Sequence, residues 1–73
     1  MVDARKLGRV IRARRETLGL SQEAAAHEAG ISARYYADVE RGTRFVSVQV
    51  AWRIAAALDA KLQSILDAVE RGR

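Results

Sequence analysis

Three glycines, Gly19, Gly30 and Gly42, divide the chain at nearly equal intervals, so each regular element between them holds about ten residues. Glycine ends a helix readily because it adopts left-handed backbone angles without a steric penalty. Proline is absent and alanine is abundant, and both facts favour helix. No segment alternates apolar and polar residues long enough to form a strand, and positions 45–50, which come closest, are too few. The spacing therefore predicts an all-α chain.

Apolar residues at helical spacing, together with serine caps, predict five helices. Their expected ranges are 3–18, 22–28, 33–40, 48–58 and 61–70, and the caps are Ser21, Ser32 and Ser47. A chain of 73 residues is long enough for one small domain with a thin core, so we expect residues 1–73 to form a single compact bundle. Arg14 lies within the apolar stripe of the first helix, so we expect its guanidinium to reach past the core into water.

The residue types that catalysis requires are missing or badly spaced. Cysteine is absent, which excludes disulfides, thiolate metal sites and a cysteine nucleophile. The single histidine, His27, has no second ligand at metal spacing. Asp38 and Glu40 are two residues apart on one helix and point to different faces, so they do not form a carboxylate pair. Phosphate-binding glycine loops and nucleophile elbows are also absent. We expect no enzyme, no metal and no cofactor.

Positive charge is unevenly distributed along the chain. The formal net charge is +4, and six of the 13 lysine and arginine residues lie in the first 15 positions. A second cluster contains Arg34, Arg41 and Arg44. A small basic domain indicates a polyanionic partner, most often nucleic acid, although a solvated basic surface has the same composition. No apolar run approaches the roughly 20 residues that span a bilayer, and no signal peptide is present, so we expect a cytoplasmic protein.

The segment from Ser21 to Gly42 has the steric pattern of a helix-turn-helix. Close crossing of two short helices requires a very small residue on the first helix, and Ala26 meets this requirement. The turn four residues later requires a positive φ, for which Gly30 is suited. Tyr36 and Val39 are then spaced to pack against the first helix. The alternative is an ordinary helical hairpin with a glycine turn.

Four segments of the sequence carry a family resemblance: LGRVIRARRETLGLSQE, AAHEAGIS, YYADVERGTR and IAAAL. With them the chain resembles the phage repressor/Cro-type (XRE-like) helix-turn-helix regulators from about residue 7 to residue 66. The resemblance implies a five-helix, lambda-repressor-like bundle with its helix-turn-helix at about 21–41. It implies that helices at about 48–70 contribute to the core and to dimerisation. Its functional implication is a prokaryotic or phage transcriptional regulator, located with the nucleoid, that binds operator DNA as a symmetric dimer.

The sequence departs from the family pattern at several positions. Ala25 stands where leucine is usual and Tyr36 where an aliphatic residue is usual, and we expect the larger side chain to fill the space that the smaller one leaves. The loop before the fourth helix lacks the usual Asn-x-Pro. Asp59 replaces the usual glycine after that helix, although aspartate adopts a left-handed conformation less readily.

The resemblance places the third helix, residues 33–40, in the major groove. The residues expected to contact bases are Ser32, Ala33, Arg34, Tyr35 and Asp38. Arg34 is suited to donate two hydrogen bonds to guanine, while Ala33 is suited to contact a thymine methyl. For Asp38 two interpretations stay open: it accepts a hydrogen bond from cytosine, or it pairs with Arg34 on the helix surface.

Other residues are expected to hold the DNA backbone or the scaffold. The expected phosphate contacts are Gln22, Arg41, Thr43 and Arg44, which contribute affinity but little sequence information. Gln22 begins the second helix, whose positive end favours a phosphate. In relatives, the positions of Arg15 and Glu40 form a structural salt bridge, and the resemblance implies the same role here.

The C-terminal helices carry more apolar surface than one small core requires. The residues expected at a dimer interface are Trp52, Leu62, Ile65, Leu66 and Val69. An exposed apolar patch of this kind usually marks an interface, although some of these residues are candidates for the internal core. A two-fold dimer would place two recognition helices about 34 Å apart, facing a palindromic operator.

Two other function classes are open to a chain of this composition. A protein-interaction module with this fold would present acidic or apolar residues on the outer face of the third helix, whereas Arg34 is basic. A membrane-surface peptide would use the basic, amphipathic first helix. The capped helices that follow it favour a folded bundle instead.

Overall fold

The computed structural model describes residues 3–71. Five helices follow one another: α1 (Ala4–Thr17), α2 (Gln22–Ala29), α3 (Ala33–Arg41), α4 (Val48–Ala57) and α5 (Leu62–Arg71). Residues 3–71 contain no strand, and every helix end lies within one residue of its predicted position. The predicted all-α, five-helix class is confirmed.

Local capping explains where the helices begin and end. The Ser21 hydroxyl accepts a hydrogen bond from the Ala24 N–H at 3.0 Å, and Ser32 and Ser47 cap α3 and α4 in the same way. These hydroxyls satisfy N–H groups that have no partner within the helix. Gly30 and Gly42 end α2 and α3 in the left-handed conformation, with φ of 74° and 78°. The serine caps and the glycines that predicted these helix ends are therefore the residues at which the helices begin and end.

The core lies between all five helices, and each contributes at least two of its buried apolar side chains. Helix α3 packs against α1 and α2, α4 packs against α2 and α5, and α5 also packs against α1. Ala25 and Tyr36, the two residues that depart from the family pattern, are both fully buried. The remaining buried apolar residues are Leu7, Ile11, Ala26, Ala29, Val39, Ile54, Ala55, Leu58, Ile65 and Val69.

Gly8 lies in the middle of α1 and does not interrupt it. A Cβ atom at this position would lie 2.6 Å from the backbone oxygen of Val39 and would also overlap the backbone oxygen of Glu40. On the other side of the same crossing, a Cβ at Gly42 would lie 2.7 Å from the Cα of Arg5. The two glycines let the backbone of α1 contact the end of α3 directly, which fixes the position of α3 in the bundle.

The guanidinium of the half-buried Arg14 reaches the protein surface, where it also binds two backbone carbonyls. Its Nε donates to the Leu58 carbonyl and its Nη2 to the Asp59 carbonyl, each at 2.9 Å. The carbonyl end of α4 carries partial negative charge and lacks donors from its own helix, so it binds a nearby guanidinium. Asp59 has a φ of 54°, the left-handed conformation for which the family uses glycine. Arg14 thus holds the α4–α5 turn in place.

Candidate nucleic-acid interface

The N-terminal end of α3 forms the exposed surface on which base contacts are predicted. Ser32, Ala33 and Arg34 are exposed, while Tyr35 and Asp38 are half-buried. The Ser32 hydroxyl accepts a hydrogen bond from the Tyr35 N–H at 3.0 Å, so this residue also serves as the cap of α3. Within residues 3–71, the Arg34 guanidinium has no ion pair and no hydrogen bond. Its donors are therefore available to a ligand.

Asp38 pairs with Arg41, three residues later on α3, and not with Arg34 as one interpretation proposed. The Arg41 Nη2 donates to the Asp38 Oδ1, and the Thr43 hydroxyl donates to the Asp38 backbone oxygen at 3.2 Å. On a helix surface, a residue is a neighbour of those three and four positions away, so both Arg34 and Arg41 lie near Asp38. In the last turn of α3 it is Arg41 that contacts the Asp38 carboxylate. The charge of Arg41 is therefore partly balanced within the helix.

Arg44, in the loop 42–47, stacks on an aromatic ring of α3. Its Cζ lies 4.4 Å from the centroid of the Tyr35 ring, well within the distance of a cation–π contact. The Arg44 side chain is exposed, and the Tyr35 ring packs against the core. The structure thus brings together one predicted base-contact residue and one predicted phosphate-contact residue, a pairing for which the sequence offers no signal.

Behind this surface, a buried network joins α1, α2 and α3. Arg15 and Glu40 form a bidentate ion pair, in which the distance from Nε to Oε2 is 2.7 Å and the distance from Nη2 to Oε1 is 3.2 Å. Their side chains are only 12% and 3% exposed. Arg15 also donates to the Leu20 carbonyl at 2.7 Å. The pair connects the end of α1 to the end of α3 and to the turn before α2.

Gln22 belongs to this network rather than extending from the surface. Its Nε2 donates to Glu40 Oε1 at 2.8 Å. The predicted phosphate contact of Gln22 therefore depends on its backbone N–H at the start of α2, because its side chain is held by Glu40.

The network also determines how its members titrate. Burial alone raises the pKa of Glu40, but the hydrogen bonds from Arg15 and Gln22 outweigh burial, and the pKa lies below its ordinary value of 4.5. The hydroxyl of Tyr36 is buried and makes no hydrogen bond. Burial and the nearby Glu40 carboxylate raise the pKa of Tyr36. At neutral pH Glu40 is therefore ionised and Tyr36 is neutral.

The five residues predicted for a dimer interface separate into two groups. Ile65 and Val69 are each only 4% exposed and belong to the internal core, so they offer a partner almost no surface. Trp52 is 67% exposed, and Leu62 and Leu66 are half-buried. A helical stripe does not distinguish core from interface, because both require apolar residues at the same spacing.

The remaining residues lie on two neighbouring parts of the surface: Leu62 and Leu66 share a groove, whereas Trp52 lines a separate hollow on α4. Leu62 and Leu66 line a groove of about 180 Å³ together with Val48, which is exposed and lies one helical turn before Trp52. We call the surface formed by Val48, Trp52, Leu62 and Leu66 the α4–α5 face.

In the range 3–71, no group of three or more His, Cys, Asp or Glu side chains is placed to hold a metal ion. His27 is exposed on α2. None of the five described helices is both long and apolar enough to cross a membrane.

Comparisons with known proteins identify the family. A helix-turn-helix family model (HTH_3) matches residues 11–65. The restriction-modification controller protein C.AhdI from Aeromonas hydrophila is 38% identical, with a TM-score of 0.84 over 86% of this chain and 96% of that chain. ClgR, the clp gene regulator from Corynebacterium glutamicum, is 24% identical and shares the fold, with a TM-score of 0.89 over 97% of this chain and 92% of that chain. No curated protein sequence matches significantly.

A longer protein contains a domain that is similar to this chain. An HTH_3 family transcriptional regulator from Vibrio cholerae is 25% identical, with a TM-score of 0.83 over 89% of this chain but only 36% of that chain. The family match covers all five helices in part or in full, including the entire helix-turn-helix. The chain therefore belongs to the XRE-type helix-turn-helix family and is a DNA-binding transcriptional regulator, not an enzyme.

Proposed function

We propose that this chain is an operator-binding repressor or controller protein that acts as a homodimer on palindromic double-stranded DNA. Helix α3 lies in the major groove, and the protein works in a prokaryotic cytoplasm, where that DNA is found. The 38% identity to the controller protein C.AhdI, over almost all of its length, supports a small regulator of the same kind.

The observation that carries the proposal is the unpaired Arg34 on a rigidly held helix. Arg34 is exposed in the first turn of α3, and within residues 3–71 no acceptor binds its guanidinium. The other end of α3 is fixed by the backbone contact at Gly8 and by the Arg15–Glu40 pair. An arginine with free donors on the exposed end of a fixed helix is suited to make two hydrogen bonds to guanine O6 and N7.

The neighbouring residues would hold the phosphates on either side of the groove. Thr43 and Arg44 follow α3 and are exposed, and the backbone N–H groups at the start of α2 lie at the positive end of that helix. Arg41 is a weaker candidate because Asp38 already balances part of its charge. Asp38 itself reaches a cytosine only if this ion pair opens.

Dimerisation through the α4–α5 face would cover two of the exposed large apolar side chains, Val48 and Trp52. Trp52 and Val48 remain largely in water in the single chain, and monomeric proteins rarely leave large apolar patches exposed. A two-fold axis through this face would pair it with its own copy. The expected interface therefore contains Trp52, Leu62 and Leu66, without the buried Ile65 and Val69.

Selection of bound sequences from a random DNA pool tests the proposal. We expect an enriched motif with two inverted half-sites whose centres lie about one helical turn apart. Binding of the wild-type chain to the enriched site should weaken steeply as salt rises, because phosphate contacts release counterions. Failure to enrich any motif, together with binding that ignores salt, would refute the proposed function.

A further inference from the structure

The stacked pair of Tyr35 and Arg44 joins α3 to the loop that follows it. Tyr35 lies in the first turn of α3 and Arg44 lies in the loop 42–47, nine residues later. The guanidinium carbon lies 4.4 Å from the ring centroid. One side of the ring packs against the core, so the ring is held in position while the arginine is exposed.

Stacking leaves the hydrogen-bonding capacity of Arg44 free. The guanidinium contacts an aromatic ring through its flat face, whereas its five N–H donors point outward from its edges. Among the described residues, no carbonyl or carboxylate accepts a hydrogen bond from Arg44. A phosphate oxygen can therefore bind the edge without displacing the ring.

Arg41 is the arginine to compare with Arg44, because it lies close to the same loop but pairs with a carboxylate instead of an aromatic ring. It lies just before the same loop, and its guanidinium binds the Asp38 carboxylate. One of its edges is occupied and its charge is partly balanced, so it attracts a phosphate less strongly. Of the two arginines, Arg44 alone combines a fixed position with free donors.

We propose that Tyr35 is a positioning residue that holds Arg44 ready for a DNA phosphate, and not a reader of bases. This inference rests on the proposed function, because it assumes that the surface of α3 and the following loop binds DNA. An arginine on a flexible loop loses rotamer freedom when it binds, and a ring that restricts it beforehand reduces that loss.

The test compares variants of position 35 on a short mixed-sequence duplex, measured by fluorescence anisotropy between about 50 and 200 mM salt. Tyr35→Phe keeps the ring and removes the hydroxyl, and we expect it to bind like the wild type. Tyr35→Leu removes the ring, and we expect binding about two- to fivefold weaker, the range of an exposed cation–π contact. In an Arg44→Ala background, Tyr35→Leu should cause no further loss.

A measurement on the free protein tests the stack separately. The aromatic ring should shift the Arg44 side-chain proton resonances upfield in the wild type and in Tyr35→Phe, but not in Tyr35→Leu. Arg71→Ala serves as the charge control, because Arg71 is exposed at the end of α5. It should leave the effect of Tyr35→Leu unchanged.

Three results would overturn the inference. Equal losses for Tyr35→Phe and Tyr35→Leu would show that the hydroxyl itself contacts DNA. Additive losses for Tyr35→Leu and Arg44→Ala would show that the two residues act independently. Absence of the upfield shift would show that the stack does not form in solution. Salt-independent or absent binding by the wild type would instead refute the proposed function, and the inference would fail with it.

Discussion

Glu40 links α3 to α1 and α2 through its side-chain carboxylate. One oxygen accepts from Arg15 Nε, and the other accepts from Arg15 Nη2 and from Gln22. A carboxylate that is 3% exposed depends on these donors, because water does not replace them. Removal of one partner leaves the other charge buried and uncompensated, which typically costs about 3–5 kcal/mol.

We therefore expect strong coupling between Arg15 and Glu40 in a double-mutant cycle. Arg15→Ala and Glu40→Ala should each destabilise the fold by a few kcal/mol, and the double variant should lose less than the sum. Urea unfolding measures each free energy. The exposed pair Arg12–Glu16, with side chains 64% and 56% exposed, is the matched control and should couple by about 0.5 kcal/mol or less. Strict additivity at Arg15 and Glu40 would contradict the prediction.

The lowered pKa of Glu40 predicts a specific loss of stability in acid. Its folded-state pKa lies below the ordinary value of 4.5, so folding favours the ionised form. The resulting stability is fully present above about pH 4.5 and is lost as the pH falls through the folded-state value. Unfolding free energies across this range should fall less steeply for Glu40→Gln than for the wild type.

Arg34 and Arg44 should differ in the kind of binding that they support. Arg34→Ala should weaken operator binding by roughly 1–3 kcal/mol and relax the preference at one base pair. Arg44→Ala should weaken binding to all sequences about equally, and should make the salt dependence shallower by about one phosphate. Titrations with the selected operator and with mixed-sequence DNA separate the two effects. A reversal of the two behaviours would show that the assigned roles are wrong.

At the scale of the helices, the close crossing of α1 and α3 depends on the absence of a side chain at Gly8, as well as at Gly42. The Cβ of any other residue at Gly8 would overlap backbone oxygens at the end of α3, and backbone atoms cannot turn aside as a flexible side chain does. The crossing sets the distance between α1 and the recognition helix. It therefore also determines where the Arg15–Glu40 pair can form.

Gly8→Ala should destabilise the protein even though alanine is the better helix former. Alanine favours a helix by up to about 1 kcal/mol over glycine, whereas forced overpacking typically costs about 1–3 kcal/mol. Ala13, exposed in the same helix, is the control, and Ala13→Gly should destabilise by about 0.5–1 kcal/mol. Glycine is thus preferred at position 8 and alanine at position 13. A stabilised Gly8→Ala variant in thermal unfolding would disprove the backbone contact.

The helix boundaries could be predicted from the sequence because their signals are local. A serine and the N–H that it caps are three residues apart, and a left-handed glycine requires no distant partner. Contacts between segments that are distant in the sequence could not be predicted in this way, because no local residue pattern marks them. The backbone contact at Gly8 and the binding of Arg14 to the carbonyl end of α4 arise only when the helices pack.

The candidate site shows the same division. The resemblance assigned Ser32, Ala33 and Arg34 to the DNA-facing start of α3, and the structure leaves all three exposed. The partner of Asp38 did not follow from the sequence, because two arginines lie within reach on the same helix. The stacking of Arg44 on Tyr35 depends on the path of the loop between them, which no periodicity describes.

At the scale of the whole molecule, size limits what one copy can reach. The Cα atoms extend over 28 × 22 × 19 Å, and the longest of these dimensions is less than the roughly 34 Å between successive major grooves on one side of DNA. On the proposed palindromic operator, a single copy would therefore contact one half-site. Two copies would be needed to contact both, and the α4–α5 face is the surface proposed to join them.

Leu66→Glu should accordingly produce a folded monomer with much weaker operator affinity. Leu66 is half-buried in the groove of the α4–α5 face, and a carboxylate there would have to enter the interface without a partner. Ser64→Glu adds the same charge to an exposed position on another side of α5 and should leave the dimer intact. Sedimentation measures the oligomeric state of each variant. A wild-type chain that is monomeric at tens of micromolar, both free and on DNA, would rule out this interface.

The position of the only tryptophan has a spectroscopic consequence. Trp52 is 67% exposed, so the indole of a folded single chain is solvated almost as well as that of an unfolded one. Its emission should change little when a monomer unfolds. Coverage of the α4–α5 face would remove water from the ring and shift the emission to shorter wavelengths. If the α4–α5 face pairs as proposed, tryptophan emission will report association of two copies and will change little when a monomer unfolds, the reverse of its usual use.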